Sequence, residues 1–99
     1  MKSMFDEVLE FLNKQEELTI SYKTDDGIKT VHVFAIRKWD RQETDTYTVS
    51  FYVSENVHSV SSILNTIVNI NYLNEIYVLE AAWVEHGILN MDIVRMSND

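Results

Sequence analysis

The sequence has no cysteine, no proline and only two glycines. Without cysteine there is no disulfide and no thiolate metal site, so stability has to come from a packed core. Without proline, no X-Pro isomerisation slows folding. Two glycines cannot build a glycine-rich phosphate loop. There is no run of about 18 apolar residues, so no segment reads as a membrane-spanning helix. Positive charge is scarce: sixteen Asp and Glu stand against eight Lys and Arg, a net charge of −8. Such a field repels nucleic-acid backbones and anionic lipid surfaces and attracts basic proteins. The opening "MKSMFDEVLEFL" does not read as a secretory leader, because Asp6, Glu7 and Glu10 interrupt its apolar stretch. The expectation is a cytoplasmic protein with no membrane and no direct nucleic-acid partner.

What is present is core material. A chain of 99 residues with 45% hydrophobic and 11% aromatic content makes one domain, here taken as 1–99, and is too apolar for disorder. Met4, Phe5, Val8, Leu9 and Leu12 recur at helical spacing, and Ser3 with Asp6 resembles a capping box, so residues 3–14 read as an amphipathic helix. The period then changes to two. "LTISYK" alternates as a half-buried strand does, and "DDG" marks a hairpin turn before "IKTVHVFAIRK". "KWDRQETD" reads as a polar loop, and "TYTVSFYV" as a third strand. Val57, Val60, Ile63, Leu64, Ile67 and Val68 form one helical stripe, so periodicity predicts a helix over residues 57–71, although Ile, Val, Thr, Ser and Asn are mediocre helix formers. "EIYVLEAAWV" and "ILNMDIVRM" close the chain as two strands.

The expected fold is therefore α+β: a two-layer sandwich with a mostly antiparallel five-stranded sheet and two helices, in the order α-β-β-β-α-β-β. The fourth strand is apolar on both faces. Tyr77, Leu79, Ala81 and Trp83 point one way, and Ile76, Val78, Ala82 and Val84 the other. Two helices on one face cannot cover both, so the pattern calls for a second copy of the chain or a partner.

Chemistry is sparse. "EAAWVEHGILN" sets Glu85 beside His86, a pairing that could serve as a general base oriented by a carboxylate. Its likeness to "KTDDGIK" favours a plain hairpin turn, with glycine supplying a positive φ. His32, His58 and His86 lack HxxxH or HxH spacing, so no metal site is expected. There is no nucleophile motif and no cofactor motif. An enzyme built from His86 or His32 with carboxylates is the weakest expectation, and the chain is taken as non-catalytic.

Two features suit a binding partner. Arg37, Trp39 and Arg41 gather in the "RKWDRQ" stretch with the composition of a protein-binding hot spot. Glu16, Glu17, Asp25 and Asp26 form an expected acidic rim. In size, acidity and lack of cysteine the chain resembles the small inhibitors that phages make, some of which imitate the charge of nucleic acid. That resemblance implies an inhibitor or adaptor whose partner is another protein, basic or nucleic-acid-binding. The expected element order is similar to that of the acidic chaperones that escort type III secretion effectors. That implies, as the alternative, a homodimer binding an extended segment of a client, although the usual further helix after the last strand is missing here.

Overall fold

The computed structural model describes residues 15–96. The expected first helix, at residues 3–14, lies outside the described residues. Six strands follow: β1 Gln15–Thr24, β2 Gly27–Gln42, β3 Thr46–Val53, β4 Ile67–Tyr72, β5 Glu75–Glu85 and β6 Ile88–Met96. Between β3 and β4 stand a single helical turn, α1 Val57–Ser61, and a 3-10 turn, Leu64–Thr66. The strands form a closed barrel in the order β1-β2-β3-β6-β5-β4, and every pairing is antiparallel.

This overturns the expected α+β sandwich. Two three-stranded meanders, β1-β2-β3 and β4-β5-β6, join edge to edge through β3–β6 and β1–β4. The sheet's inner face is buried by the sheet itself, so no helical layer is required. The expected long helix over residues 57–71 shrinks to Val57–Ser61, and its second half is β4. The apolar stripe was real, since Val60 is fully buried and Val57, Ile63, Leu64 and Ile67 pack against the core. The β-branched composition decides the backbone, because Ile67, Val68 and Ile70 suit a pleated strand better than a helix.

The core takes one face of each strand. Leu18 and Ile20 of β1, Val33 and Ala35 of β2, and Val49, Phe51 and Val53 of β3 are buried together. Ile70 and Tyr72 of β4, Tyr77 of β5, and Leu89, Met91 and Ile93 of β6 complete it. Phe51 meets Tyr72 edge-on at 5.0 Å between ring centroids, the geometry that ring quadrupoles favour.

The expected loop after Lys38 is also overturned. Trp39, Asp40, Arg41 and Gln42 continue β2 and pair with Ser50, Val49, Thr48 and Tyr47. A bulge lies between Arg37 and Trp39, and another in β5 between Leu79 and Ala81. The second bulge corrects the face assignment of β5. Glu80 is the extra residue, so Trp83 opposes Asn90 and faces outward, away from buried Tyr77.

Four short turns join the hairpins, three of them of two residues. His86 (φ 54°) and Gly87 (φ 77°) form the β5–β6 turn, as the "EHG" reading anticipated. Gly27 sits at φ 119° directly after Asp25 and Asp26. The β4–β5 turn, Leu73 (φ 51°) and Asn74 (φ 63°), has no glycine to announce it. Leu73 is 69% exposed, so nothing offsets the cost of holding an apolar side chain in the left-handed region. Leu73→Asn is expected to raise the unfolding free energy by about 0.5 kcal/mol, because Asn tolerates this conformation in a type I′ turn. Leu73→Val is expected to lower it by about 1 kcal/mol. Urea unfolding with an unchanged m-value reads both.

Candidate functional site

The outer surface of the barrel has two unlike sides. On β1 and β4 the outward positions are polar: Glu17, Thr19, Ser21 and Lys23, with Asn69 and Asn71. Across β2, β3, β6 and β5 exposed aromatic and apolar side chains, Trp39, Tyr52, Trp83 and Ile88, stand among small polar outward positions, Thr48, Ser50, Asn90 and Asp92. One cross-strand row runs Ile36, Tyr52, Asn90, Trp83 from β2 to β5. Ile88 adds an exposed apolar group beside it, and Val78, Ile76 and Met96 lie exposed farther along β5 and β6.

The β2 bulge builds the centre of this wall. By strand alternation Lys38 and Trp39 would point to opposite faces. The extra residue lets both lie outside, since Trp39 opposes Ser50 while Lys38 reaches across to Asn90. Lys38 Nζ donates to Asn90 Oδ1 at 2.8 Å. It also sits 4.7 Å from the Tyr52 ring centroid and 5.1 Å from that of Trp83. A partly buried ammonium facing two rings gains roughly 0.5–2 kcal/mol from their quadrupoles. The cleft around it, about 380 Å³, is lined by Lys38, Tyr52, Trp83, Glu85, His86, Ile88 and Asn90. Beside it, Arg41 stacks over Trp39 at 5.6 Å. Tyr52, Trp39 and Trp83 remain 42%, 42% and 41% exposed, large areas for aromatic side chains held in place.

Beneath these rings the outward residues are small and polar, yet buried. Thr48, Ser50 and Asn90 are the buried polar residues among those described. Ser50 Oγ donates to Asp92 Oδ1, so the floor is hydrogen-bonded rather than void.

The expected site residues are divided by the fold. Trp39 and Arg41 belong to this wall. Arg37 does not: it opposes buried Phe51 and lies by one mouth of the barrel, where its Nε is 3.7 Å from Glu16 Oε2. Glu16 also accepts a hydrogen bond from Tyr72 Oη at 2.7 Å. Glu17 lies on the outer wall, bound to His32 Nδ1 at 2.9 Å. Asp25 and Asp26 occupy the β1–β2 turn at the far end of the same strand. At about 3.3 Å per residue that is roughly 25–30 Å from Glu16, so the expected acidic rim is not one surface.

The histidines are likewise separated. Glu85 and His86 both line the cleft, yet no hydrogen bond joins them. His32 has a carboxylate in reach, but the pair stands on open wall, with side chains 62% and 50% exposed. Among the described residues no three His, Asp or Glu converge as a metal site would require. Sequence reasoning missed Lys38, Tyr52, Trp83 and Asn90 as a group, because they come from four strands and meet only through the two bulges. Comparison with protein-family models, with curated proteins and with solved structures finds no match for this chain. Among the described residues no helix is long and apolar enough to cross a membrane.

The mouth beside Glu16 is a separate polar cluster. Tyr47 Oη donates to Asp40 Oδ2 at 2.6 Å, and Arg95 Nε donates to Tyr77 Oη at 3.3 Å. Burial, then the hydrogen bond to Glu16, push the Tyr72 phenol far above its ordinary value. The hydrogen bond to Asp40, then burial, raise that of Tyr47. An unfolded tyrosine ionises near pH 10, whereas these stay protonated in the folded chain. Their contribution to stability is therefore intact below about pH 10 and is lost as pH rises above it. Unfolding free energies measured between about pH 8 and pH 11 should fall steeply at the alkaline end, and Tyr72→Phe should flatten that fall.

Proposed function

We propose that this chain is a non-catalytic protein-binding domain that docks through the aromatic wall of β3, β6 and β5, centred on Lys38, Tyr52 and Trp83. The observation that carries this reading is the cation held between two exposed rings. Trp, Tyr and Arg dominate protein-binding hot spots because they offer large, rigid contact area at low entropic cost. Here Trp39, Tyr52, Trp83, Lys38 and Arg41 stand together on a barrel wall, with their rotamers already restrained by mutual contacts. Little conformational freedom remains to be lost on binding.

The acidic surface has a supporting part. A nucleic-acid charge mimic needs carboxylates arrayed on one surface. Glu16 is engaged by Tyr72 and Arg37, Glu17 by His32, and both are remote from Asp25 and Asp26. Net charge then steers encounter with a basic partner and keeps the chain soluble, while the aromatic wall supplies affinity.

The test is capture of a partner from host lysate by the intact chain, compared with wall and tip variants. Tyr52→Ala and Trp83→Ala should each weaken capture by at least about tenfold, given hot-spot losses of about 2 kcal/mol. Asp25→Asn with Asp26→Asn should leave it unchanged, and raised salt should weaken it by no more than about fivefold, through slower encounter rather than loss of the wall contacts. The reverse pattern, steep loss with salt and with the tip variants but not with the ring variants, overturns the wall in favour of the charge mimic. Thermal unfolding of each variant separates lost binding from lost fold.

A further inference from the structure

The barrel is closed by a short seam. β5 runs Glu75–Glu85, but only Glu75, Ile76 and Tyr77 pair with β4, through Tyr72, Asn71 and Ile70. Along residues 78–85, β5 pairs with β6 alone. The backbone groups of this stretch that point away from β6 meet no strand among the described residues. β4 has six residues, and those before Ile70 pair with β1 along one edge but meet no β5 partner along the other.

At the Val84 end of this open edge stands α1. A slot of about 660 Å³ lies there, lined by Ser54, Asn56, Val57, His58, Ser59, Ser61, Val84 and Gly87. Val57 and Val84 give it apolar walls, and Val84 is 54% exposed. Ser61 Oγ is buried yet has no hydrogen-bond partner. An open strand edge and an unpartnered hydroxyl beside one slot are groups that ordinarily find partners. An extended backbone supplies what such an edge lacks: alternating N–H and C=O groups at the strand repeat.

We infer that the slot between α1 and the open edge of β5 takes an extended, basic segment of another protein, which adds a strand to β5 at residues 78–85. This rests on the reading of the chain as a protein-binding domain and names how part of a partner would be held. Charge selects the occupant. Glu80 and Glu85 stand on the open strand, Glu55 stands beside Ser54 and Asn56 at the rim, and no Lys or Arg lines the slot. A second copy of the chain fits poorly, since edge-to-edge pairing of two β5 strands would bring two sets of Glu80 and Glu85 together in a chain of net charge −8. Alternate residues of the added strand would face Val57 and Val84, and the others would face the carboxylates.

The test uses the full chain and three synthetic peptides of about eight residues. One alternates Val and Lys, one alternates Val and Glu, and one is the Val–Lys peptide with alternate backbone amides N-methylated. Backbone amide resonances report binding. The Val–Lys peptide is expected to shift residues 78–85 and Ser61, and to bind at least about tenfold more tightly than either of the others. Glu80→Lys with Glu85→Lys should weaken it about fivefold at low salt with thermal unfolding unchanged, as two exposed ion pairs allow. Equal binding of the N-methylated peptide overturns the added strand. So does the absence of any shift along residues 78–85 at the highest soluble peptide concentration. A concentration-dependent dimer that protects those amides without peptide overturns it in favour of a second copy. Loss of partner capture by Trp83→Ala together with silence of the edge would leave the aromatic wall standing and remove only the added strand.

Discussion

The pairing of β1 with β4 is the constraint on which the rest of the molecule depends. Ile20 and Ile70 stand opposite each other in that ladder, and both are wholly buried. Without it, two meanders would lie joined only along β3 and β6, with β1 and β4 as open edges and the inner face in water. With it, one layer of sheet encloses its own core and no second layer is needed. The ladder is short because a bulge between Ser21 and Tyr22 interrupts it. The β4–β5 seam is shorter still, and α1 contributes Val60 to the core near the end where the sheet falls short.

Enclosure of the core by a single layer has a consequence for the exterior. In a sandwich, an outward apolar residue can be covered by a helix. In this barrel none of the described elements overlies β3, β5 or β6 from outside, so apolar residues there face solvent unless they cover one another. Lys38, Tyr52 and Trp83 do so in part, over a floor of Ser50, Thr48 and Asn90. The two bulges make this arrangement possible at matching places. Each immediately precedes a residue that opposes the central Ser50–Asp92 pair: Trp39 on one side and Ala81 on the other. A large ring on β2 and a small methyl on β5 thus flank the buried floor, with the Lys38 cleft beside it.

Much of the strand pattern was legible because the barrel obeys local rules. "TYTVSFYV" and "ILNMDIVRM" alternate cleanly, and both became strands with those limits. The "DDG" and "EHG" stretches turned as their glycines indicated. The failures have physical causes. Val57 to Val68 satisfies a helical stripe and two separate packed segments equally well, and only the β-branched residues hinted at the second. Leu73 and Asn74 turn without glycine, so nothing marked the break between the supposed helix and the next strand as a hairpin turn. Asp40, Arg41 and Gln42 looked like a loop because they are polar, but β2 runs past the core to the mouth, where Asp40 binds Tyr47. The site was hidden for a related reason. Strand alternation predicts facing only while the register is regular, and Lys38 and Trp83 each lie beside or beyond a bulge.

The double-sided apolar character of the fourth strand was read correctly, but its explanation changes. Half of it is the barrel's own core: Tyr77 is buried, and Leu79 and Ala82 pack against the core. The other half, Ile76, Val78 and Trp83, faces solvent. An outward face of this kind is costly to keep for stability alone, since an exposed ring or branched chain gains little from the fold and raises the risk of association. The chain offsets that risk with charge: its net negative field disfavours contact between copies while leaving a local cation among the rings. On the binding proposed above, like copies would repel over the whole surface, and a partner of opposite charge would be drawn in and would then meet rings and strand edge already in place. On that proposal, acidity and aromatic exposure, which looked unrelated along the sequence, act together as selection against self and selection for another chain.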